Sequence, residues 1–389
     1  MRNPFIDFYN KYNIIPTSQN LNDFKNFLNQ RNQLYSNLGL PLTFIKNKDV
    51  IEFGPGGGWN ATATSFFQPS SYTFVDGSIT SIKEIKNKII NKKFNSKVIK
   101  IYKTNIFKFK SKKKYDVVII EGTVPNQIHP EKMLKIVSNS LKKGGILITT
   151  THSPLSLLPE VCRRLMRIKI YNTIPEFNER LIKLSKIFKS HLKTLKAFTR
   201  PVEDWVSDVI LSEHSYKNKY DFDLLNTLDC LKKEFYFYNS QPKFLIDDVW
   251  HKHVKKNQDH SNNLLIKQYK KNSIFLIDYR VSFKNLTKNK DFLKNINNID
   301  GLCRKLIKIH NEIIKDNSYK NIKKFLITLN QLKNLLPREF DVTKKSIECY
   351  IEDLPKFIKG DNKNLFKNFK KWWGRGMQYS SFIKKFIKA

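Results

Sequence analysis

Residues 49–58 read DVIEFGPGGG, an apolar run that ends in four glycines and one proline. A buried strand bounded by Gly and Pro explains this pattern better than a helix does. Glycines after a strand permit positive φ angles, and they let the backbone pass close to a bound ligand. A helix that begins after the turn directs its N-terminus toward that ligand. The stretch therefore predicts a strand, a ligand-binding turn and a helix.

The segments that follow alternate between apolar runs and helical patterns. Helical patterns cover Ile79–Ile90 and Glu131–Leu141, and near-continuous apolar strands between helices indicate a parallel sheet covered on both faces. The predicted fold is α/β, with a doubly wound, mostly parallel sheet. The further predicted strands are Tyr72–Val75, Lys97–Tyr102, Tyr115–Ile120 and Ile146–Thr149.

The rest of the chain is predicted to extend this core. Residues 154–232 are mostly helical in pattern and form an insertion. Strand-like runs return at Glu234–Leu245 and Ser273–Phe283, which we assign to the last strands of the same sheet. The predicted organisation is a helical extension (1–40), a core (41–153), a helical insertion (154–232), the last strands with an aromatic and histidine cluster (233–285) and a helical carboxyl-terminal region (286–389).

Polar residues follow the predicted strands at positions suited to a nucleoside. Asp76 comes twenty residues after Gly56, and an acid near that spacing binds the ribose hydroxyls of adenosine. Asn105 follows the third strand, where its amide can both donate to and accept from an adenine edge. Glu121 ends the fourth strand. These positions predict an adenosine-containing ligand.

From about residue 40 to residue 150 the sequence resembles the class I S-adenosylmethionine-dependent methyltransferases, which have a Rossmann-like fold. The family's first motif is an acid, one residue and then Gly-x-Gly-x-Gly, which Glu52–Gly58 matches. The resemblance implies S-adenosylmethionine as cofactor and methyl transfer as activity. It implies that these residues hold the cofactor: Glu52, Gly54, Pro55, Gly56, Gly57 and Gly58 at its amino-acid part, Asp76 at its ribose, Asn105 and Ile106 at its adenine, and Glu121 beside it. Asn105 stands where the family usually has Asp.

Two other interpretations of the glycine turn remain open. A nicotinamide dinucleotide site favours Gly-x-Gly-x-x-Gly without an acid before the first glycine, whereas this chain has Glu52 and places Trp59 at the third glycine position. A purely structural strand-to-helix turn would leave the position of Asp76 as a coincidence. Both alternatives are weaker than the methyltransferase interpretation.

Candidate catalytic residues lie beyond the carboxyl ends of the predicted strands. Methyl transfer needs the nucleophile aligned with the methyl group, and a hydroxyl nucleophile needs a proton acceptor. His129 and His152 are candidates because imidazole titrates near neutral pH, and Glu121 is a third. Histidines that only hydrogen-bond a loop are the alternative. No residues show the spacing of a metal site.

The acceptor is not identified by the sequence. Aromatic and basic clusters at Phe235–His253 and Lys371–Tyr379 suggest acceptor contacts, although core packing is the ordinary explanation. The candidate acceptor-binding residues are Tyr238, Trp250, His251, His253 and Arg375. The segment after the fourth strand lacks the Asn/Asp-Pro-Pro-aromatic motif of amino-methylating nucleic-acid enzymes, and no cysteine lies there for cytosine-carbon methylation. A small-molecule or sugar acceptor, methylated on oxygen or nitrogen, is therefore the first hypothesis.

The composition keeps two further hypotheses open. Seventy-one Lys and Arg face 34 Asp and Glu, a net charge of +37, which attracts polyanions and anionic membranes. Lysines appear spread along the chain, so a solvated surface or a composition bias explains the surplus equally well. An RNA-modifying methyltransferase and a non-catalytic scaffold are the alternatives. The four cysteines are far apart in sequence and no secretory signal is visible, which predicts a cytoplasmic protein. No apolar stretch reaches ~20 residues, which predicts that the chain does not span a membrane. The oligomeric state is undetermined.

Overall fold

The computed structural model describes residues 4–15, 17–212, 222–253, 260–282, 290–316, 319–361 and 363–386. The chain divides into two compact units. The first unit comprises residues 1–152, 218–269 and 377–389, and the second comprises residues 153–217 and 270–376. Among the described residues, no helix is both long and apolar enough to cross a membrane.

The first unit is built on a seven-stranded sheet. Its strands are β1 Asp49–Phe53, β2 Ser71–Asp76, β3 Val98–Lys103, β4 Tyr115–Ile120, β5 Leu141–Thr151, β6 Phe235–Gln241 and β7 Gln378–Lys384, in the order β3-β2-β1-β4-β5-β7-β6. Strands β1 to β5 pair in parallel, and β7 runs antiparallel to both β5 and β6. The predicted α/β class with a doubly wound, mostly parallel sheet is confirmed.

Burial explains why the central strands are continuously apolar. Every residue of β2 is buried, and Val50, Ile51 and Phe53 of β1 have no exposed surface. A parallel strand covered on both faces has no polar side, so its sequence does not alternate. Strand β3 lies at the free edge of the sheet, and its residues are mostly exposed. The core of this unit is therefore centred on β1, β2 and β4.

Helices complete each unit. In the first unit they are α1 Pro4–Tyr12, α2 Phe24–Asn37, α3 Trp59–Phe66, α4 Ile79–Ile90, α5 Pro130–Ser138 and α9 Leu224–Leu231. In the second unit they are α6 Pro154–Tyr171, α7 Phe177–Leu192, α8 Val202–Trp205, α11 Lys290–Asp316, α12 Ile322–Leu335 and α13 Asp341–Lys359, while α10 His260–Asn272 crosses the boundary in sequence. Residues 154–212 and 222–231 are largely helical.

Two predicted elements are wrong. Ser273–Phe283 is not a strand, because Ser273–Ile277 forms a buried 3-10 helix in the second unit and Phe283 lies outside the described residues. A five-residue apolar run cannot distinguish a strand from a buried helical turn by periodicity. The carboxyl-terminal region is not helical throughout either, because Gln378–Lys384 forms β7 between β5 and β6.

Candidate active site

The glycine cluster forms the turn from β1 to α3 at the carboxyl end of the sheet. Gly54, Gly56 and Gly58 have φ angles of 65°, 57° and 72°, which residues with a side chain rarely adopt. A Cβ atom on Gly54 would lie 2.6 Å from Thr123 Oγ1. The turn therefore requires glycine for its conformation and for the close approach of Thr123.

Asp76 ends β2 beside this turn, and its side chain is buried. Its carboxylate accepts hydrogen bonds from the backbone N–H groups of Gly56, Gly77 and Ser78, with the Ser78 nitrogen 2.8 Å from Oδ1. Burial raises the pKa of Asp76 to about 6, although these hydrogen bonds act to lower it. Because a carboxylate offers about four acceptor sites, three amides leave capacity for a ligand hydroxyl.

Asn105 and Ile106 follow β3 at the same end of the sheet. The Thr104 N–H donates to the Asp76 carbonyl at 2.9 Å, which ties this segment to the end of β2. The Asn105 side chain accepts from the Phe107 N–H at 3.0 Å and so begins a 3-10 turn, Ile106–Lys108. Ile106 is buried. The structure thus brings the predicted adenine and ribose residues to neighbouring strand ends.

Glu52 occupies a different setting from the one the motif implied. Its buried carboxylate accepts a hydrogen bond from the hydroxyl of Tyr72 on β2. Burial, together with the nearby Glu121 carboxylate, raises the pKa of Glu52 to about 7. Its partner therefore lies within the sheet, and cofactor contact by Glu52 stays a prediction.

Glu121 belongs to a polar cluster that the sequence did not reveal. Arg31 Nη2 lies 2.8 Å from Glu121 Oε1, and the Tyr35 hydroxyl donates to the same oxygen at 2.6 Å. Asn60 Nδ2, in the first turn of α3, lies 3.3 Å from Glu121 Oε2. The side chains of Arg31 and Glu121 are 9% and 8% exposed, so this ion pair is almost fully desolvated. Burial and Glu121 both raise the pKa of Tyr379, a β7 residue of the same cluster.

The spacing of Arg31 and Tyr35 was the available signal for the helical part of this cluster. Residues four apart share one face of a helix, and both fall in the segment predicted to be helical. Their shared partner lies 90 and 86 residues away in sequence, so the pattern alone could not identify it.

The amino-terminal segment covers the strand ends. Asn10 Oδ1, on α1, accepts hydrogen bonds from Ser78 Oγ at 3.1 Å and from the Ile79 N–H at 3.0 Å. A Cβ on Gly57 would lie 2.8 Å from Ile15 Cγ2, and one on Gly77 would lie 2.4 Å from Ile6 Cδ1. This segment therefore closes one side of the predicted nucleoside site.

The two candidate histidines differ in environment. His152 follows β5, is 8% exposed, and burial lowers its pKa to about 4. The imidazole is thus neutral at pH 7 and able to accept a proton, although such a low pKa makes it a weak base. His129 is exposed and precedes α5. His152 is the one placed at the end of a central strand.

The predicted acceptor residues are not brought together. Tyr238 lies on β6 beside Gly39, whereas Trp250, His251 and His253 lie in an exposed turn, where Trp250 is 64% exposed. Arg375 belongs to the second unit, and its guanidinium donates to backbone carbonyls of Phe275, Asp278, Tyr279 and Val281. These four contacts give Arg375 a structural role within that unit. Among the described residues, no group of His, Cys, Asp and Glu is arranged to hold a metal ion.

Comparison with known proteins identifies a domain in the amino-terminal half. Residues 27–189 match a family model described as a methyltransferase domain. No curated protein matches the sequence. This domain match confirms the methyltransferase resemblance of the sequence.

Three solved structures illustrate the structural similarity. PKMT2 from Rickettsia typhi is 17% identical, with 62% of this chain and 49% of that chain covered and a TM-score of 0.37. The N-methyltransferase NodS from Bradyrhizobium japonicum, solved with S-adenosyl-L-homocysteine, is 15% identical over 32% of this chain and 61% of that one, with a TM-score of 0.28. A methyltransferase from Clostridium acetobutylicum is 19% identical over 35% and 60%, with a TM-score of 0.28. The chain thus covers less than two thirds of each, and likeness at this level says nothing of its substrate.

Proposed function

From the premise that residues 27–189 are a methyltransferase domain, we propose that the protein transfers the methyl group of S-adenosylmethionine to an acceptor. The observation that carries this proposal is the pairing of a positive-φ glycine turn with a buried carboxylate at the next strand end. A nucleotide ligand of an open α/β sheet binds at the carboxyl ends of its strands, which is where both features lie.

The residues present fit this cofactor. In the proposal, the backbone of Gly54–Gly58 lies against its amino-acid part, Asp76 accepts from its ribose hydroxyls, and Asn105 and Ile106 adjoin its adenine. The four glycines of the turn and the remaining acceptor capacity of Asp76 both support this fit. The bound cofactor supplies an electrophilic methyl group. The amino-terminal segment with Ile6 and Ile15 would exclude water from it.

The chain's own contribution to catalysis is to orient the acceptor and to take its proton. Glu121 follows β4 and His152 follows the neighbouring β5, so both lie where an acceptor meets the cofactor site in this fold. Arg31 and Tyr35 hold the Glu121 carboxylate in one position. We assign Glu121 to orienting the acceptor and the neutral His152 to accepting its proton, with His129 as the less favourable candidate because it is exposed.

The proposed acceptor is a small molecule or a sugar, methylated on oxygen or nitrogen. The burial of Arg31, Tyr35 and Glu121 supports it, because a small acceptor can enter a site whose polar groups are nearly inaccessible to bulk solvent. An RNA acceptor is the second candidate, and the net charge of +37 favours it. We place the protein in the cytoplasm as part of this proposal.

Calorimetric titration with S-adenosylmethionine, S-adenosylhomocysteine and NAD, at two salt concentrations, tests the cofactor. We expect micromolar binding of both adenosyl compounds and none of NAD. Failure to bind either adenosyl compound would reduce the glycine turn to a structural feature. Salt-independent turnover of a small acceptor would exclude RNA as the substrate, and cofactor binding without transfer to any extract would favour a scaffold role.

A further inference from the structure

The lysine surplus is not spread evenly along the chain. Residues 85–115 contain twelve lysines and no Asp, Glu or Arg, whereas the whole chain has 34 acidic residues among 389. The lysines are at positions 86, 88, 92, 93, 97, 100, 103, 108, 110, 112, 113 and 114. This segment therefore carries a charge of +12 without an internal counter-charge.

The fold places this segment on one border of the sheet. It comprises the end of α4, the edge strand β3 and the connection to β4, and within the described residues β3 pairs only with β2. All of its lysines except Lys88 are exposed. Because a strand rises about 3.3 Å per residue, β3 is roughly 17 Å long, with Lys97 just before its first residue and Lys103 at its last. The charges thus follow a line along the edge.

Most of these lysines have no acidic neighbour. Lys88 pairs with Glu84, and Lys113 lies 2.9 Å from Asp49. Within the described ranges, none of the others forms an ion pair. We use the name basic edge for the exposed unpaired lysines between residues 92 and 112. Its members are Lys92, Lys93, Lys97, Lys100, Lys103, Lys108, Lys110 and Lys112.

Protection of an edge strand does not account for this arrangement. Lysines on edge strands oppose pairing with another chain, but only Lys100 and Lys103 of the basic edge lie within β3. The remaining lysines flank the strand on both sides, where no strand edge needs protection. Tyr102 on β3 is 40% exposed and packs against Phe109 with ring centroids 5.4 Å apart. The edge therefore also presents a partly fixed aromatic ring.

We propose that the basic edge is a docking surface for single-stranded nucleic acid, bound through its phosphates. Lysines just before, within and at the end of an edge strand roughly 17 Å long match a linear polyanion better than a planar anionic membrane, and an exposed ring offers a face for base stacking. The proposal does not depend on which acceptor is methylated. It assigns a second binding surface to the first unit, which runs along β3 and reaches the strand ends of the proposed cofactor site only at Lys103 and Lys108.

Fluorescence anisotropy with a labelled 20-nucleotide oligouridylate, between 50 and 300 mM salt, tests this surface. The edge variant carries Lys93→Glu, Lys97→Glu, Lys100→Glu and Lys112→Glu. The control variant carries Lys323→Glu, Lys324→Glu, Lys345→Glu and Lys359→Glu, all exposed lysines of the second unit. Each variant lowers the net charge equally, from +37 to 37 − 8 = +29. A third variant, with Gln at the four edge positions, covers the case in which four glutamates prevent folding.

We expect the edge variant to bind at least tenfold more weakly than the wild type, the Gln variant to fall between them, and the control variant to change less than threefold. The slope of log affinity against log salt should shrink by about 3 in the edge variant, since each phosphate contact on a single strand contributes roughly 0.7. Equal losses in the edge and control variants would overturn the proposal, because net charge alone would then explain binding.

Vesicles that contain 30% phosphatidylserine provide the membrane comparison. Wild-type binding to these vesicles without binding to oligouridylate would also overturn the proposal. Titration of the edge variant with S-adenosylmethionine separates this result from the proposed function. We expect the edge variant to bind the cofactor with wild-type affinity. If the edge variant lost both cofactor binding and oligouridylate binding, the loss would be attributed to damage at the strand ends rather than to the basic edge.

Discussion

Two buried carboxyl groups near the glycine turn differ in their hydrogen-bond partners. Asp76 accepts from three backbone amides of the turns around it, whereas Glu52 accepts from the side chain of Tyr72 inside the sheet. Burial raises the pKa of both groups, because desolvation disfavours their charged forms. Their different partners lead to different expectations, one for ligand binding and one for stability.

Replacing Asp76 with Asn should weaken S-adenosylmethionine binding by at least tenfold. A hydrogen bond to a charged group contributes about 1.5–3 kcal/mol, and the amide removes both the charge and one acceptor oxygen. In the wild type, affinity should fall as the pH drops below about 6, because protonation of Asp76 removes an acceptor. Calorimetric titration at pH 5 and pH 8 measures both effects.

Asp116→Asn is the matched control for this substitution. Asp116 lies at the beginning of β4, at the opposite end of the strand from Glu121, and its partners are Lys142 and the Asp49 N–H. The affinity of the Asp116→Asn variant for the cofactor should stay at the wild-type value. Equal affinities of the Asp76→Asn protein and the wild type would remove Asp76 from the proposed cofactor site.

Replacing Glu52 with Gln should stabilise the ligand-free protein at pH 8 but not at pH 5. The folded-state pKa of about 7 lies above the ordinary value of 4.5, so the folded protein binds more protons between these values. The free energy of unfolding therefore falls as the pH rises through this window, by at most about 3 kcal/mol from this group. Gln removes the ionisation and still accepts from Tyr72.

Thermal unfolding of the wild type and Glu52→Gln at pH 5 and pH 8 measures this difference. Comparing the two pH values cancels contributions from groups that both proteins share. A change in Tm of the same size at both pH values would show that Glu52 titrates normally in the folded protein.

Among the elements, β7 has the largest effect on the sheet. It lies between β5 and β6 in the sheet and runs antiparallel to both strands. The hydroxyl of Ser381 on β7 donates to the Leu38 carbonyl at 2.7 Å. Phe382 is fully buried on the same strand. Because β7 pairs with a strand on each side, its backbone N–H groups form hydrogen bonds to both neighbours. Loss of one of these N–H groups therefore removes a hydrogen bond of the sheet.

Replacing Ser380 with Pro should destabilise the protein by about 3 kcal/mol or more. Proline in a central strand removes a ladder hydrogen bond and introduces a steric clash. Ser380→Ala is the control, since it removes only the hydroxyl, whose contact with the Thr149 carbonyl is long at 3.5 Å. Urea unfolding should show a far larger loss for Pro than for Ala. Similar losses would place β7 outside the cooperative core.

At the scale of the whole molecule, the net charge of +37 opposes compactness. Like charges repel, and a net charge far from zero destabilises a folded chain through this repulsion. Several surface ion pairs, such as Lys142 with Asp116 and Lys333 with Glu348, act in the opposite direction. Exposed pairs contribute only about 0–1 kcal/mol each, so repulsion should dominate.

Raising the NaCl concentration from 20 to 300 mM should therefore increase the Tm by roughly 2–4 °C, which corresponds to about 1 kcal/mol. Differential scanning calorimetry measures the shift in Tm. Sucrose of equal osmolality is the uncharged control, and the stabilising effect of sucrose itself is subtracted. A Tm that decreases with salt would mean that the ion pairs outweigh the repulsion.

The sequence by itself determined the first four strands, the middle of the fifth, the glycine turn and the position of Asp76. Strand β5 runs from Leu141 to Thr151 rather than from Ile146 to Thr149. These features are local: apolar runs, glycines and an acid at a fixed distance along the chain specify them without reference to distant residues. The match was close in the core, where β1 and β4 have the predicted bounds and β2, β3 and α4 differ from them by one residue at most. The acceptor residues, by contrast, were inferred from two local clusters of aromatic and basic residues, and their role stays a prediction.

The tertiary structure decided what depends on long-range pairing. Only the fold brings Arg31 to Glu121, inserts β7 between β5 and β6, and turns Ser273–Ile277 into a buried helical turn. It also places the eight lysines of the basic edge on and around the edge strand β3. The physical reason is that strand partners and buried ion pairs gain their stability from residues far apart in sequence, so no local pattern contains them.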